Sequence, residues 1–471
     1  MSFRTFVTHT QYDMKFSLDI DSHLIGKVKI VQNQCLVVRT TDSQLIYDFI
    51  HWIEGSRSYL MDKISFNCDS RNITDLSELR KLVKVLRFNL IQNEKTGMYY
   101  QQRYHATENE DLTTLRDFLG EINGVYYPDF VSRLGLISLL DEKINMLSTG
   151  EFRKALTLKA ASSAPKVLFV DEPYVGIDAQ SCELLNELFK YLVENGTSVL
   201  IFTSRERYPE IITQVIEIQN KESVFEIDKI ENIQIPQLRK QPDFEYAFIL
   251  ENVVAQYHER DVLSRINWKV KRNEKWALTG KNGSGKSTLL SFVNADNPKT
   301  YCNNVYIFDR KRGVGQSIWD VKEWIGFYSP EFQRYFDKQQ TVSNAIKSIV
   351  FQHPYKKREL QHDELLFKQQ VMQYFGLCET KHKMLFELSP IMQRLVILSG
   401  ILIKNVPLLV LDEPFQGFSD VLVERAKFLL EKYSQDRTLV MVSHNDRNFL
   451  KNIQRRFHLT EGKGEEVRLE V

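Results

Sequence analysis

Apolar runs alternate with helical periodicity along the first part of the chain, and this pattern predicts an α/β architecture. Residues 16–38 alternate apolar and polar side chains, as antiparallel strands do. A mostly helical stretch follows at 113–140, and a periodic helix at 152–161 leads into the fully apolar strand 167–170. Another apolar strand at 198–202 comes near the end of this half.

The same order of elements returns in the second part of the chain. There a helix leads into the apolar strand 408–411, and Asp-Glu-Pro follows each apolar strand, beginning at Asp171 and at Asp412. Ser148 and Ser389 each lie 23 positions before their aspartate (171 − 148 and 412 − 389), so the offset is 241 (412 − 171). Equal spacing over several motifs favours a tandem duplication over two unrelated α/β domains.

The joint between the halves is polar and marked by proline. We predict a first domain at 1–215, a linker at 216–245 and a second domain at 246–471. A chain of 471 residues can hold this number of domains, each with its own core.

Composition predicts a soluble, cytoplasmic protein. The charges balance, with 62 Lys and Arg against 61 Asp and Glu, so net charge points neither to nucleic acid nor to a membrane surface. The odd, scattered cysteines predict reduced thiols and no zinc site; they are Cys35, Cys68, Cys182, Cys302 and Cys378. The N-terminus lacks the apolar run of a signal peptide. The longest apolar tract, 395–411, contains Lys404, Asn405 and Pro407, which favours a core helix and strand over a membrane span.

The strongest chemical signal is GKNGSGKST at 280–288, which fits G-x-x-x-x-G-K-[ST]. An apolar strand at 276–279 precedes it, and a helix is predicted to start at Thr288. Glycines let backbone N–H groups converge on phosphate oxygens, while Lys286 supplies a positive charge and Ser287 a magnesium ligand. The predicted phosphate-binding residues are Gly280, Asn282, Gly283, Ser284, Gly285, Lys286, Ser287 and Thr288.

Together these motifs resemble the ATP-binding cassette (ABC) ATPases, with two cassettes in one chain, and the resemblance covers nearly the whole sequence. It implies two P-loop NTPase domains, each a RecA-like α/β core with a β subdomain and a helical subdomain. It also implies ATP and Mg²⁺ as ligands. Among tandem members the chain looks most like the bacterial ModF or photorepair type, named as molybdate-transport ATP-binding proteins.

The resemblance implies roles for residues of the second half. Asp412 matches the Walker B aspartate, which helps Ser287 to hold magnesium, and Glu413 matches the glutamate that polarises the attacking water. His444 matches the switch histidine at the end of a strand. Tyr257 matches the aromatic residue that stacks on adenine, although a tyrosine in a strand is about as often a core residue.

Each nucleotide in this family lies between the Walker motifs of one cassette and the signature motif of the other. LSTGE at 147–151 keeps the serine and a glycine of that signature, so Ser148, Gly150 and Glu151 are implied to contact the nucleotide. LSPIM at 388–392 departs from it, because proline removes a backbone donor and a bulky side chain replaces glycine.

The phosphate loop shows the opposite asymmetry. The offset of 241 carries Lys286 back to Leu45 (286 − 241), and the window 39–46 contains neither glycine nor lysine. We therefore predict one competent composite site, built from the Walker motifs of the second half and the signature of the first. The glutamine loop also differs, because Gln101 fits the family pattern in the first half, whereas Glu331 and Gln333 are the two candidates to replace it in the second.

Three functions fit these motifs. The first is an energising subunit that docks on a separate membrane permease of the molybdate type, at the inner face of the membrane. The second is a soluble ATPase that acts on nucleic acid or a ribosome. The third, a nucleotide-binding assembly protein that rarely hydrolyses, is disfavoured by Glu413 and His444. We expect a monomer or weak oligomer whose cassettes pair within one chain, with partner docking at segments such as 332–336 and 355–358.

Overall fold

The computed structural model forms two compact units, one from the described residues between 16 and 218 and one from those between 233 and 467. The residues that it describes are 16–40, 42–55, 62–68, 71–87, 113–120, 127–144, 147, 149–174, 179–203, 211–218, 233–238, 243–257, 260–281, 283–313, 315, 317–329, 332–333, 336–352, 359–443 and 446–467. The division at 1–215, 216–245 and 246–471 stays a prediction.

The first unit combines an antiparallel sheet with a parallel one. Its strands are β1 Phe16–Ser22, β2 Gly26–Val31, β3 Cys35–Arg39, β4 Lys63–Cys68, β5 Arg71–Ile73, β6 Val83–Arg87, β7 Val167–Asp171, β8 Ser198–Thr203 and β9 Gln214–Glu217. Its helices are α1 Ser43–Ile53, α2 Leu76–Leu82, α3 Leu115–Leu119, α4 Tyr127–Arg133, α5 Thr149–Ser162 and α6 Ala179–Glu194, with a 3₁₀ turn at Ile137–Leu139. The antiparallel sheet has the order β2-β1-β4-β5, and the parallel sheet has the order β6-β7-β8-β3-β9.

The second unit has the same plan. Its strands are β10 Tyr246–Tyr257, β11 Arg260–Lys271, β12 Lys275–Thr279, β13 Asn304–Ile307, β14 Arg310–Lys311, β15 Ile325–Tyr328, β16 Leu408–Asp412, β17 Thr438–Val442, β18 Arg455–Thr460 and β19 Lys463–Val467. Its helices are α7 Lys286–Val293, α8 Ile318–Lys322, α9 Val342–Val350, α10 His362–Tyr374, α11 Pro390–Ile403 and α12 Asp420–Tyr433. Short 3₁₀ helices lie at Pro298–Cys302, Leu385–Glu387 and Asp446–Asn448.

Strand order repeats from one unit to the other. The antiparallel sheet of the second unit has the order β11-β10-β13-β14, and its mostly parallel sheet has the order β15-β16-β17-β12-β18-β19. Apart from the antiparallel edge strand β19, which has no counterpart among the described residues of the first unit, each strand has a counterpart at the same place there. This repeat agrees with the duplication that the sequence predicts.

The central strands are continuously apolar because both faces of each parallel sheet are covered. In β16, Leu408 and Val410 belong to one core with α7 and the antiparallel sheet. Leu409 and Leu411 belong to a second core with α9 to α12. The strand β7 is divided in the same way between the two cores of the first unit. The sheet therefore separates a helical layer from a layer that carries the loop after β12.

The long apolar tract at 395–411 forms most of α11 and then β16, as predicted. Within the described ranges, no helix has the length and apolar character needed to cross a membrane.

Candidate nucleotide-binding site

The loop between β12 and α7 requires glycine at both of its ends. Gly280 and Gly285 have φ angles of +147° and +101°, which residues other than glycine rarely adopt. A Cβ atom on Gly280 would clash with the backbone carbonyl of Leu459, and one on Gly285 would lie 2.9 Å from the carbonyl oxygen of Val262. The loop is therefore packed closely against β11 and the end of β18, in a conformation that the glycine spacing makes possible.

The helix α7 begins at Lys286, two residues before the predicted start at Thr288. Its cap is Gly285, whose left-handed backbone begins the helix without any side-chain hydrogen bond to the first N–H groups. Those N–H donors and the positive end of the helix dipole suit an anion. Gly283 has a φ of +77° and lies in the same loop, whereas Asn282 lies outside the described residues.

Ser284 adds a further polar atom to the loop. Its hydroxyl is buried and has no hydrogen-bond partner in the part of the chain that the structure describes. A buried hydroxyl normally has a partner, so this atom is suited to a ligand that the loop would hold. The cradle that only glycine can form and this hydroxyl both fit a bound polyphosphate.

The side chain of Lys286 is folded back over the loop. Its Nζ donates hydrogen bonds to the carbonyl oxygens of Gly280, at 2.7 Å, and Lys281, at 2.9 Å. Burial lowers the pKa of Lys286, and the nearby carboxylates of Asp412 and Glu413 oppose that shift. The cation is thus held between the loop and the two acidic residues that follow the strand β16.

Ser287 and Asp412 lie together at the carboxyl edge of the sheet. The Ser287 hydroxyl, in the first turn of α7, donates to the Asp412 carboxylate at the end of β16 over 3.2 Å. A hydroxyl and a carboxylate oxygen are hard ligands of the kind that Mg²⁺ prefers. The two predicted magnesium ligands therefore lie close enough to share one ion.

Glu413 occupies a sharp corner after β16. Its φ is +47°, which is uncommon for a residue other than glycine, and its N–H donates to the carbonyl of Val442 over 3.1 Å. Glu172 forms the same corner in the first unit, with a φ of +46° and an N–H that donates to Phe202 over 2.9 Å. His444 lies outside the described residues.

Tyr257 ends β10, and its half-buried ring packs against the core that contains α7. Its hydroxyl accepts a hydrogen bond from Nδ2 of Asn297 at 2.8 Å, and Nζ of Lys299 lies 5.2 Å from the ring centroid. Burial raises the pKa of Tyr257, and the bond from Asn297 opposes this shift. A half-buried ring leaves both sequence interpretations open, because it contributes to the core and still has an accessible part.

Sequence reasoning did not single out Asn297. An asparagine directly before Pro298 is a typical helix-start signal, and Asn297 does cap the 3₁₀ helix that follows, accepting from the Lys299 N–H at 3.0 Å. Its contact with Tyr257 joins residues 40 positions apart, so no local pattern could have indicated it.

The corresponding helix of the first unit begins differently. The Asp42 carboxylate accepts hydrogen bonds from the backbone N–H groups of Gln44, at 2.9 Å, and Leu45, at 3.0 Å. Leu45, which stands where the offset places the lysine, is buried in the core beneath α1.

The helices that follow the two signature segments begin at matching positions, Thr149 and Pro390 (390 − 149 = 241). Gly150 and Glu151 lie in the first turn of α5, and Ser148 is outside the described residues. In the second unit the buried hydroxyl of Ser389 caps α11 by accepting from the Met392 N–H at 3.2 Å. Pro390 is the first residue of that helix, where no backbone donor is needed, so the proline costs the helix no hydrogen bond.

The glutamine-loop candidates are only partly described. Gln101 and Glu331 lie outside the described residues. Gln333 is buried against the start of α11, where its amide donates to the carbonyl of Pro390 at 2.8 Å and accepts from Nε of Arg394 at 2.8 Å.

A glycine-rich loop between a strand and a helix, followed by lysine and serine and faced by a strand that ends in aspartate, defines a P-loop nucleotide-binding protein. The ABC transporter family model matches residues 263–416. The chain belongs to the ABC ATP-binding proteins, a family that in general binds and hydrolyses ATP with Mg²⁺. The resemblance found in the sequence is thereby confirmed.

Relatives match most of the chain. An uncharacterized ABC transporter ATP-binding protein of Schizosaccharomyces pombe is 32% identical over 396 residues, which cover 79% of this chain and 81% of the relative. The ABC transporter ATP-binding protein ModF of Escherichia coli is 32% identical over 341 residues, covering 66% and 69%. Among solved structures, that of RNase-L Inhibitor aligns with 93% of this chain and with 87% of its own chain, at 12% sequence identity and a TM-score of 0.48.

Proposed function

We propose that this protein binds and hydrolyses Mg·ATP at one competent site and that hydrolysis drives a separate membrane transporter. The observation that carries this proposal is the convergence within the second unit of the glycine loop, Lys286, the Ser287–Asp412 pair and Glu413. The helix at the matching place in the first unit starts with its donors bound to Asp42.

Each site residue of the second unit has its own role in the proposed mechanism. The triphosphate lies along the loop from 280 to 285, where the N–H groups at the start of α7 and the ammonium of Lys286 neutralise its charge. Ser287 and Asp412 would hold Mg²⁺, which supplies further charge neutralisation on the phosphates. The carboxylate of Glu413 orients the attacking water, and His444 completes the site.

The other half of the site would come from the first unit. Gly150 and Glu151, in the first turn of α5, would together with Ser148 contact the γ-phosphate of the nucleotide held by the second unit. In the second unit Ile391 stands where the first unit has Gly150 (391 − 150 = 241), and this bulky side chain supports one composite site rather than two. Pairing would then take place within one chain, between domains at 1–215 and 246–471 joined by a linker at 216–245.

Transport is the work that the relatives favour. ModF is described as an ABC transporter ATP-binding protein, and a further relative, from Acetivibrio thermocellus, is an energy-coupling factor transporter ATP-binding protein that is 31% identical over 212 residues. The balanced charge of the chain gives no signal that favours nucleic acid as the partner. We therefore place the protein at the cytoplasmic face of a membrane, with a permease of the molybdate type as its partner.

The nucleotide site is tested by Lys286→Ala with Lys281→Ala as a matched control. Both changes remove one positive charge from the same loop, but the Lys281 side chain is exposed and only its carbonyl contacts Lys286. We expect Lys286→Ala to abolish ATP binding in calorimetry and phosphate release, and Lys281→Ala to change either by less than about threefold. ATP binding that survives Lys286→Ala would exclude this site.

The partner is tested separately, by membrane flotation of the tagged chain from a cell lysate followed by identification of co-purifying proteins. We expect flotation with a membrane-spanning permease. Co-sedimentation with ribosomes or nucleic acid, together with absence from the membrane fraction, would contradict the transport role and leave the ATPase proposal intact.

A further inference from the structure

A continuous chain of hydrogen bonds joins Tyr257 to the helix that carries the phosphate loop. Nδ2 of Asn297 donates to the Tyr257 hydroxyl at 2.8 Å and to Oγ of Ser291 at 3.0 Å. The Ser291 hydroxyl in turn donates to the carbonyl of Thr288 at 2.6 Å. Asn297 and Ser291 are each only 1% exposed, so these bonds are shielded from competing water.

This chain of hydrogen bonds connects two elements that would hold opposite ends of a nucleotide. Thr288 lies in the first turn of α7, directly after Lys286 and Ser287, whereas Tyr257 is the last residue of β10 in the antiparallel sheet. The neighbouring strand β11 already touches the loop, because a Cβ on Gly285 would lie 2.9 Å from the Val262 carbonyl. Backbone packing and the buried amide together fix the distance between the tyrosine ring and the loop.

We propose that Asn297 is a positioning residue for the nucleotide base: its amide holds the Tyr257 ring at a set distance from the phosphate loop, so that base and phosphates bind together. This inference rests on the proposed function, in which Tyr257 stacks on adenine. Positioning of this kind raises affinity because the ring does not have to be ordered when ATP binds.

The oxygen of the same side chain has a second task. Oδ1 of Asn297 accepts from the Lys299 N–H at 3.0 Å, and Nζ of the same lysine lies 5.2 Å from the centre of the Tyr257 ring. A cation at this distance interacts favourably with the ring and covers one of its faces.

A purely structural role for Asn297 makes a different prediction. If the amide only satisfied buried polar atoms, its loss would loosen α7 and weaken every ligand of the loop. If it positions the ring, its loss weakens ligands that have a base and spares those that have none. Inorganic tripolyphosphate, which carries the phosphates without the base, separates these two cases.

Two substitutions remove the bond from either side. Tyr257→Phe keeps the ring and loses the hydroxyl, whereas Asn297→Ser keeps a good helix cap but is too short to reach Tyr257. Asn303→Ser is the matched control, because Asn303 ends the same 3₁₀ helix and bonds to the backbone of Val254 without touching Tyr257.

The experiment measures the Kd of the full chain for ATP by calorimetry and that for tripolyphosphate by displacement of ATP, both with Mg²⁺. We expect Tyr257→Phe and Asn297→Ser each to raise the Kd for ATP roughly three- to tenfold, the size of one hydrogen bond, and to leave tripolyphosphate within about twofold. The double variant should be no worse than either single one, and Asn303→Ser should match the wild type.

Two results would overturn the inference. One is an equal loss of affinity for tripolyphosphate, which would make Asn297 a structural residue. The other is additive losses in the double variant, which would mean that the two side chains act independently. Failure of the proposed function would look different, since Lys286→Ala would then bind both ligands as the wild type does.

Discussion

The helices α1 and α7 stand at the same place in the two units, each after the matching strand of its sheet, and they begin in opposite ways. At α7 the cap is Gly285, which has no side chain that could bind the first N–H donors. At α1 the carboxylate of Asp42 accepts two of those donors, so a negative group already stands where a phosphate would bind. The repeat kept the strand order and changed what the helix start binds.

The aspartates at the ends of the matching strands differ in the same sense. In the first unit Arg87, the last residue of β6, is in register with Asp171, and its guanidinium also pairs with Glu54. In the second unit the place beside Asp412 belongs to Ser329, which follows the last residue of β15. In the first unit the neighbouring strand thus supplies a cation to the half-buried aspartate, whereas in the second unit the same place has a small hydroxyl.

The glutamate corner shows what the two units share. Glu172 and Glu413 have nearly the same backbone, with φ angles of +46° and +47°. This corner therefore belongs to the fold rather than to the chemistry. We infer that catalysis depends on the groups that face the corner. The test with the largest expected effect changes the carboxylate of each glutamate and keeps the shape of its side chain.

Glu413→Gln and Glu172→Gln form that test, because each change replaces a carboxylate by an amide of the same shape. We expect Glu413→Gln to bind ATP but to lose turnover by a hundredfold or more, on the order of several kcal/mol in barrier. Glu172→Gln should stay within about twofold. The measurement is steady-state phosphate release beside ATP binding, and equal losses would mean that both units hydrolyse.

The next test concerns the two signature segments. Gly150→Ile gives the first unit the residue that the second has at the matching position, Ile391 (391 − 150 = 241). We expect turnover to fall about a hundredfold, because a branched side chain would prevent close approach of the backbone to the nucleotide. Ile391→Ala should leave turnover within about twofold although it costs some stability. Equal effects on turnover would show that the units do not pair as proposed.

The parts of the fold that sequence could predict are those set by local pattern. The runs 167–170 and 408–411 are apolar at every position because both sheet faces are buried, and that pattern is visible without a structure. The phosphate loop was equally visible, because its glycines serve backbone angles within the loop itself.

Other features depended on contacts between distant residues. The bond between Asn297 and Tyr257 could not be predicted from either segment. The burial of Ser389 at the start of α11 was not predicted either, because the sequence indicated only the loss of a donor at Pro390. The role of Asp42 as a helix cap could have been predicted, because an aspartate before an apolar helix is a typical cap. The missing glycines and lysine predicted that no phosphate would bind at 39–46, but they did not indicate which group would bind the N–H donors of the helix instead.

A smaller effect is expected from Asp171 of the first unit. Burial of its carboxyl, reinforced by the charge of Glu172 and opposed by the charges of Arg87 and Arg153, raises the pKa of Asp171 from its ordinary value near 3.8 to about 7. Between these values the Asp171 carboxyl loses its proton in the unfolded chain and keeps it in the folded chain, so the contribution of Asp171 to stability falls as pH rises from about 4 to 7 and then levels off.

Asp171→Asn should remove this slope. We expect the variant to match the wild type near pH 4 and to be more stable near pH 8 by about 1 to 2 kcal/mol, measured by chemical denaturation at both values. Asp141→Asn, at an exposed carboxylate of the same unit, controls for the loss of a charge. A stability difference between Asp171→Asn and the wild type that does not grow from pH 4 to pH 8 would contradict the assignment.

The smallest effect is expected at the helix start that opened the comparison. Asp42→Ala should cost about 1 kcal/mol of stability, the usual value of a cap, whereas Asp42→Asn keeps an acceptor and should cost less than half of that. Neither change should add a nucleotide, because freed donors alone do not make a phosphate site: Leu45 still stands where the lysine would be, and it is buried in the core. Binding of a non-hydrolysable ATP analogue, counted by calorimetry, should therefore remain at one per chain in the wild type and in both variants. Two per chain in Asp42→Ala alone would mean that a single carboxylate closes the first site, and two in the wild type would mean that the difference between the helix starts does not decide which unit binds nucleotide.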